Sequence, residues 1–327
     1  MNYPVTRLRR LRQKPQLREI LTETRLSVYD LILPLFIKAD ISEKQPILAM
    51  PGHFQWALSA LAKEAEDIQR LGIPGVMLFG IPAYKDSNGS AAYQSDSIIA
   101  QAIAEIKKTT DLLIISDLCC CEYTDHGHCG VLVQQDAQWT VDNDKTLPLL
   151  VKQAIVHVQA GSDMIAPSGM IDGMVSALRE GLDKAGYTHI PILSYAAKYV
   201  SSFYGPFREA AQSAPQMGDR RGYQMNPANA AEALREVALD IQEGADILMV
   251  KPAGAYLDII HRVKQRYPDY PLAAYQVSGE FAMIKAAASN GWIDERAAIL
   301  ESLTAIKRAG ADFILTYFAK EVVAWLS

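Results

Sequence analysis

The chain has 327 residues, 50% of them hydrophobic and 21% charged, with a formal net charge of −5. That balance suits a globular protein with a large core, and the lack of a basic surplus argues against a nucleic-acid partner. No uninterrupted apolar run reaches the ~18 residues that a membrane span requires.

In chain order, the first feature is a basic start, with Arg7, Arg9, Arg10, Arg12 and Lys14. No apolar segment follows it, so it is not a secretory signal. A basic amphipathic transit peptide is the alternative, but Glu19, Glu23 and Asp30 follow closely, and a cytoplasmic location is expected. Residues 1–28 contain too few apolar side chains to form a domain and are expected to be an extended arm that packs on a neighbouring subunit. Residues 29–327 read as one domain. Eight short apolar, β-branched runs recur there: Asp30–Ile37, Gly75–Pro82, Leu112–Cys119, Asp163–Ser168, Ile190–Ala196, Ala245–Lys251, Leu272–Ser278 and Ala311–Tyr317. Amphipathic segments separate them, among them Ala60–Leu71, Ser97–Lys108, Thr146–Ala160, Met170–Ala185, Ala228–Glu243 and Ala255–Tyr267. Gly72, Gly161, Gly244 and Gly310 stand just before runs, where a helix C-cap and a short loop place glycine. Strands apolar throughout and alternating with helices imply a parallel sheet covered on its outer face. Eight such units predict an α/β fold of the (β/α)₈ TIM-barrel type, with the N-terminal arm outside it. Neither a G-x-G-x-x-G turn after the first strand nor a P-loop is present.

Barrel active sites form at the C-terminal ends of the strands. The residues expected there are Asp117, Ser168, Lys198, Lys251, Ser278 and Tyr317. Two are lysines that end apolar runs. Burial and a second nearby cation both disfavour an ammonium, which leaves a neutral amine able to attack a ketone or aldehyde. Pairing with a carboxylate or binding of phosphate are the other uses of such a lysine.

All four cysteines lie within Cys119–Cys129, the opposite of a disulfide framework that staples distant loops. Side-chain alternation in extended backbone puts Cys119 and Cys121 on one side and Cys120 on the other. The loop can bring Cys129 back to the first pair. Three thiolates with one open position suit a reactive zinc site. On the residues alone, His126 and His128 remain open as a fourth ligand, a supporting partner or plain loop residues. The long loop after Lys198 carries Tyr204, Phe207, Arg208, Arg220, Arg221 and Gln224 among glycines and prolines. It reads as a lid whose arginines, Arg208 with Arg220 or Arg221, could clamp a carboxylate.

Together these motifs resemble the porphobilinogen synthase (5-aminolevulinate dehydratase) family over nearly the whole chain. The likeness covers the arginine-rich arm, Asp30–Phe36, Leu78–Pro82, the cysteine loop, Met249-Val250-Lys251-Pro252 and Tyr275–Glu280. It implies a hydro-lyase of tetrapyrrole (heme) biosynthesis that joins two 5-aminolevulinate molecules into porphobilinogen through two Schiff bases. In that family's terms Lys251 would form the first, at the P site, and Lys198 the second, at the A site. Cys119, Cys121 and Cys129 match the catalytic zinc ligands, and Cys120 does not. Arg208 and Arg220 match the A-site carboxylate clamp, and Ser278 and Tyr317 the P-site carboxylate ligands. Asp117 and Ser168 match residues around the P-site substrate, and Tyr204, Phe207 and Gln224 match lid and wall positions. Glu236 falls where bacterial members bind an allosteric magnesium, and a homo-octamer is the assembly implied. Gly169, Met174 and Asn226 depart from many relatives at wall positions.

Two other readings fit parts of the sequence. A class I aldolase needs only one such lysine and gives the cysteines no role. A zinc-binding sensor or store leaves both lysines and the arginine lid without one.

Overall fold

A computed structural model of the chain describes residues 2–135 and 138–326. Eight parallel strands surround one axis: β1 (Leu31–Lys38), β2 (Gly75–Ile81), β3 (Leu113–Leu118), β4 (Met164–Pro167), β5 (Leu193–Lys198), β6 (Ile247–Lys251), β7 (Leu272–Gln276) and β8 (Phe313–Thr316). They neighbour one another in the order β4-β3-β2-β1-β8-β7-β6-β5. A single parallel bridge, Ile165 to Ile192, joins β4 to the start of β5 and brings the sheet round to near closure. The helices Leu58–Arg70, Ile98–Thr109, Asn143–Gln159, Met174–Lys184, Ala230–Glu243, Leu257–Arg266 and Glu295–Ala309 follow successive strands. This is the expected TIM barrel.

All eight apolar runs form strands. Their bounds move where polar residues cap the ends. The fifth was expected over Ile190–Ala196 but runs from Leu193 to Lys198, so Lys198 is its last residue. The seventh was expected to reach Ser278 but stops at Gln276, and Ser278 opens the helix Ser278–Ser289. The helix expected from Met170 starts at Met174, after Gly173 at φ 72°.

At the N-terminal rim, three Gly-(Ser/Ala)-Asp turns do the same work. Asp163, Asp246 and Asp312 each take a hydrogen bond on a carboxylate oxygen from the first amides of the neighbouring strand: Ile114 N at 2.7 Å, Ile192 N at 2.8 Å and Leu272 N at 2.7 Å. The glycines of these turns, Gly161, Gly244 and Gly310, all have φ above 100°, which excludes most other residues there.

The arm contributes a 3₁₀ turn, Leu8–Arg12, and a short helix, Pro15–Ile20, neither with a buried residue. Its apolar side chains are open: Val5 is 80% exposed, Leu8 67% and Ile20 75%. Two small antiparallel pairs complete the fold. Gln45–Pro46 pairs with Phe54–Trp56 above β1, and Leu132–Gln135 with Gln138–Val141 beyond the cysteine loop.

Behind β3 and β4, the helix Asn143–Gln159 buries His157 completely, with no partner among the described residues for either ring nitrogen. Burial lowers its pKa from 6.5 to about 3. The unfolded chain therefore binds a proton that the folded chain refuses. No proton-linked penalty applies above pH ~6.5, and one grows as the pH falls towards 3, by about 1.4 kcal/mol of stability per unit. His157→Leu should accordingly lose roughly 2–3 kcal/mol less stability than the wild type between pH 7 and pH 4.5, measured by denaturant unfolding at each pH. An equal acid sensitivity of the two proteins would contradict this.

Candidate active site

Side chains alternate along a strand, and the two lysines face the same cavity only because β5 departs from that rule. Ser194 pairs with Leu248 and Ala197 with Val250, so Tyr195 and Ala196 together oppose the single residue Met249. This β-bulge shifts the later residues by one. Without it Lys198 would point outward, as Ser194 does towards Asp240 on the helix Ala230–Glu243. With it, Lys198 lies directly opposite Lys251, both at strand ends and both buried.

The two amines have different surroundings. Lys198 Nζ donates to Ser168 O at 2.5 Å. Lys251 Nζ makes no hydrogen bond or salt bridge to the described residues. It lies among four aromatic rings: Tyr275 at 4.1 Å from the centroid, Tyr195 at 5.1 Å, Phe207 at 5.3 Å and Tyr204 at 5.5 Å. Burial, with Lys198 adding to it, lowers the Lys251 amine from 10.5 to about 7. A large fraction of it is then neutral at physiological pH, the form that attacks a carbonyl. Beside the lysines, Asp117 accepts from Ser168 Oγ at 3.0 Å, and the Tyr195 hydroxyl faces it. Burial, and then Glu122, raises this carboxyl to about 7.

The cysteines divide as expected, though for a different reason. Strand β3 ends at Leu118, so Cys119–Cys121 belong to a turn rather than a pleated strand, with Tyr123 N and Thr124 N both closing on Cys120 O at 2.9 Å. Cys119, Cys121 and Cys129 converge, with their sulfurs all within 4.8 Å of one another. Cys120 turns away into the main core. Hydrogen bonds from the Cys119 and Cys121 thiols, with Arg220 close by, hold Cys129 well below the usual thiol range. The same contacts push Cys119 well above it. One thiolate shared among three thiols readily loses its remaining protons to a soft divalent metal. Neither histidine joins the cluster. His126 Nε2 meets Ser87 O at 3.2 Å and its Nδ1 accepts from His128 N at 3.1 Å. His128 meets Tyr223 Oη at 3.1 Å and Met217 O at 2.8 Å. Both fasten the loop.

The lid, with the helix Gly205–Ala210 near its start, lies closed over this centre. Phe207 N donates to Ser278 Oγ at 2.9 Å, Gln55 to Ala210 O at 2.6 Å and Lys85 to Gln212 O at 2.5 Å. Phe207 packs on Phe36 and Phe79, and the Tyr204 hydroxyl donates to Tyr199 O at 2.8 Å. Arg220 is buried and donates to Gly127 O and Ser213 O at 2.9 and 2.6 Å. The Nε atoms of Arg208 and Arg220 are nevertheless buried without a partner among the described residues, as are both amide atoms of Gln224. Burial, and then Arg220, lowers the Arg208 pKa. Two neighbouring guanidinium groups with unused donors call for an anion. Across the barrel, Ser278 stands at a helix N-terminus, and the Tyr317 hydroxyl pairs with that of Tyr275 at 3.1 Å. A cleft of about 620 Å³, lined by His128, Trp139, Met217 and Tyr223 among others, opens beside the cysteines.

The structure thus gathers Lys198, Lys251, Asp117, Ser168, the three cysteines, Tyr204, Phe207, Arg208, Arg220, Gln224, Ser278 and Tyr317 at one barrel mouth. The delta-aminolevulinic acid dehydratase family profile matches residues 5–325. The chain belongs to that family. A dehydratase of Halalkalibacterium halodurans is 52% identical over 322 residues, covering 98% of this chain and 97% of its own. One from Archaeoglobus fulgidus is 53% identical over 321 residues, covering 98% of each. The Toxoplasma gondii enzyme, solved with its reaction product porphobilinogen, superposes with a TM-score of 0.94 at 42% identity, over 98% of this chain and 91% of that one.

Glu236 lies apart, half-buried on the outer helix Ala230–Glu243, where it faces Asp172 and stands near Glu232 and Glu243. Sequence reasoning gave no role to Tyr195, Glu122 or Lys85. Glu122 is buried beside the cysteines, and its place within the cysteine loop was the only signal for it.

The split among the cysteines yields a test. Cys119→Ser should lower bound metal, measured by elemental analysis, and activity at least tenfold, whereas Cys120→Ser should change both less than about twofold. Equal losses from the two substitutions would refute the three-thiol centre.

Proposed function

We infer that this chain is a lyase that condenses two molecules of 5-aminolevulinate into porphobilinogen with loss of two waters. The observation that carries this reading is the pair of adjacent buried lysines beside a thiol triad, under a closed arginine lid, in a chain of this family.

The neutral amine of Lys251 adds to the C4 ketone of the first substrate. The adduct expels water and leaves a protonated imine on Nζ, an electron sink for the adjacent carbon. Lys198 binds the second substrate in the same way. One carbon–carbon and one carbon–nitrogen bond then join the two substrates, both lysines are released, and the balance is two 5-aminolevulinate to one porphobilinogen plus two waters. Arg208 and Arg220 hold the carboxylate of the substrate on Lys198, and Ser278 and Tyr317 that of the substrate on Lys251. Asp117 and Ser168 line the Lys251 substrate, with Ser168 also holding the Lys198 amine. Tyr204, Phe207 and Gln224 close the wall and exclude water.

Cys119, Cys121 and Cys129 are the ligands of zinc. Their sulfur separations, all within 4.8 Å, accommodate the ~3.8 Å that tetrahedral Zn–S bonds of ~2.3 Å require. When bound, zinc supplies Lewis acidity beside the substrate on Lys198. Two features concern assembly. The exposed apolar residues of arm 1–28 support packing on a neighbouring barrel, with residues 29–327 as the catalytic domain and a homo-octamer as the assembly. Glu236, with Asp172 and Glu232 near it, offers oxygen ligands to an allosteric magnesium ion. Among the described residues no helix is long and apolar enough to cross a membrane, and a cytoplasmic location is part of this proposal for a member of this family.

The direct test is incubation with 5-aminolevulinate and detection of the pyrrole with Ehrlich's reagent. Lys251→Ala should abolish colour. Borohydride reduction of the wild type with substrate should add the substrate's mass to the Lys251 peptide, and a label found only on other peptides would reject the assignment. For assembly, magnesium should raise activity and sedimentation coefficient in the wild type and change neither in Glu236→Ala. The same response in both proteins would exclude Glu236.

A further inference from the structure

The bulge that turns Lys198 inward also fixes a second side chain. Residues 195 and 198 are an odd number apart, so an unbroken strand would send them to opposite faces. Because Tyr195 and Ala196 share the place opposite Met249, Tyr195 and Lys198 both face the cavity. Tyr195 is 1% exposed. Its ring centroid lies 5.1 Å from Lys251 Nζ and 5.5 Å from Lys198 Nζ. Lys251 also meets the rings of Tyr204, Phe207 and Tyr275, but Tyr195 is the only described ring within reach of Lys198.

We propose that Tyr195 is a positioning residue for the condensation: its ring is the surface on which both reacting amines rest, and it favours the cationic imine formed at each. The proposal rests on the assignment of Lys198 and Lys251 as the two imine-forming residues. Two neighbouring cations in a buried cavity need stabilisation, and a carboxylate in contact with both would hold the amines as ammonium ion pairs and stop them attacking. An aromatic face attracts a cation without accepting its proton. It therefore serves the imine cation while leaving the free amine available. The Tyr195 hydroxyl donates to the Met77 sulfur at 3.1 Å and also faces the Asp117 carboxyl. The ring, not the hydroxyl, does the positioning, and Tyr195→Phe separates the two. The charged and titratable groups that face Lys251 are Lys198 from β5, Asp117 from β3, and Glu122 and Cys121 from the cysteine loop. The phenols of Tyr195, Tyr204 and Tyr275 surround it.

The test uses the full-length, metal-loaded enzyme and its Tyr195→Phe and Tyr195→Leu variants. Each is reduced with borohydride in the presence of 5-aminolevulinate between pH 5.5 and 9. The labels on the Lys198 and Lys251 peptides are mapped by mass, and kcat and KM are measured over the same range. Tyr195→Phe keeps the ring and should match the wild type within about twofold at both lysines, with the same pH profile. Tyr195→Leu keeps the apolar burial and removes the ring. Its kcat should fall about tenfold or more with little change in KM. The acid limb of its labelling at Lys251 should move by about half a unit to lower pH, because burial then opposes the ammonium with three facing rings left instead of four. Circular dichroism and Tm separate this from loss of fold, and Tyr195→Met, with a flexible side chain, replaces the leucine variant if that one misfolds. A folded, ring-less variant with wild-type labelling and pH profile overturns the proposal. So does a phenylalanine variant as impaired as the leucine one, since the hydroxyl would then be the working group. Wild-type enzyme labelled at neither lysine would reject the lysine assignments themselves, a result distinct from either.

Discussion

The structure depends on the burial of two amines side by side. Two ammonium groups ~5 Å apart at an effective dielectric of ~20 repel by ~3 kcal/mol, and burial adds to the cost of each charge. The barrel accepts this by placing Lys198 and Lys251 at the ends of adjacent strands, in register, with no carboxylate among the described residues in salt-bridge contact with Lys251. The consequence is an amine with a large neutral fraction near pH 7, with Lys251 lowered to about 7. The aromatic rings around it leave room for a cation while offering no base to trap it.

The other parts of the site are arranged about that pair and tied to one another. Arg220 bridges the lid and the cysteine loop by donating to Ser213 O and Gly127 O, and its charge lies near Cys121 and Cys129. His128 links the same two segments through Met217 O and the Tyr223 hydroxyl. Lid closure and the geometry of the thiol triad are therefore mechanically coupled. The unpartnered nitrogens of Arg208, Arg220 and Gln224 are buried polar groups that a bound carboxylate-bearing substrate would satisfy. Without an anion the closed lid carries their desolvation cost, which favours its opening between turnovers.

At the opposite end of the barrel the three Gly-(Ser/Ala)-Asp turns fasten each of their strands to a neighbour through a carboxylate acceptor. At the mouth the buried Glu280 does the same for the loops after β6 and β7, accepting from Gly254 N at 2.5 Å and Val277 N at 2.6 Å. The loops above β3 and β5 thus rise from strands fastened at their base.

The sequence alone determined the strand count, the barrel class, the lysines, the thiol cluster and the lid, because each leaves a local signature: apolar runs between glycine turns, a charged residue ending such a run, three consecutive cysteines. Strand and helix ends such as Leu193–Lys198 and the start at Met174 were less legible, since capping and pairing, not composition, set them. Three further matters were decided only in three dimensions. The cysteines separate through a turn stabilised by Cys120 O, where pleating was expected. His126 and His128 turn to backbone and hydroxyl partners, which no spacing rule could choose among. Above all, the β5 bulge is invisible in Ser194-Tyr195-Ala196-Ala197-Lys198, because an extra residue in one strand has meaning only against its partner. Register is a property of pairs of strands, and it is register that sets Lys198 opposite Lys251 and Tyr195 against both.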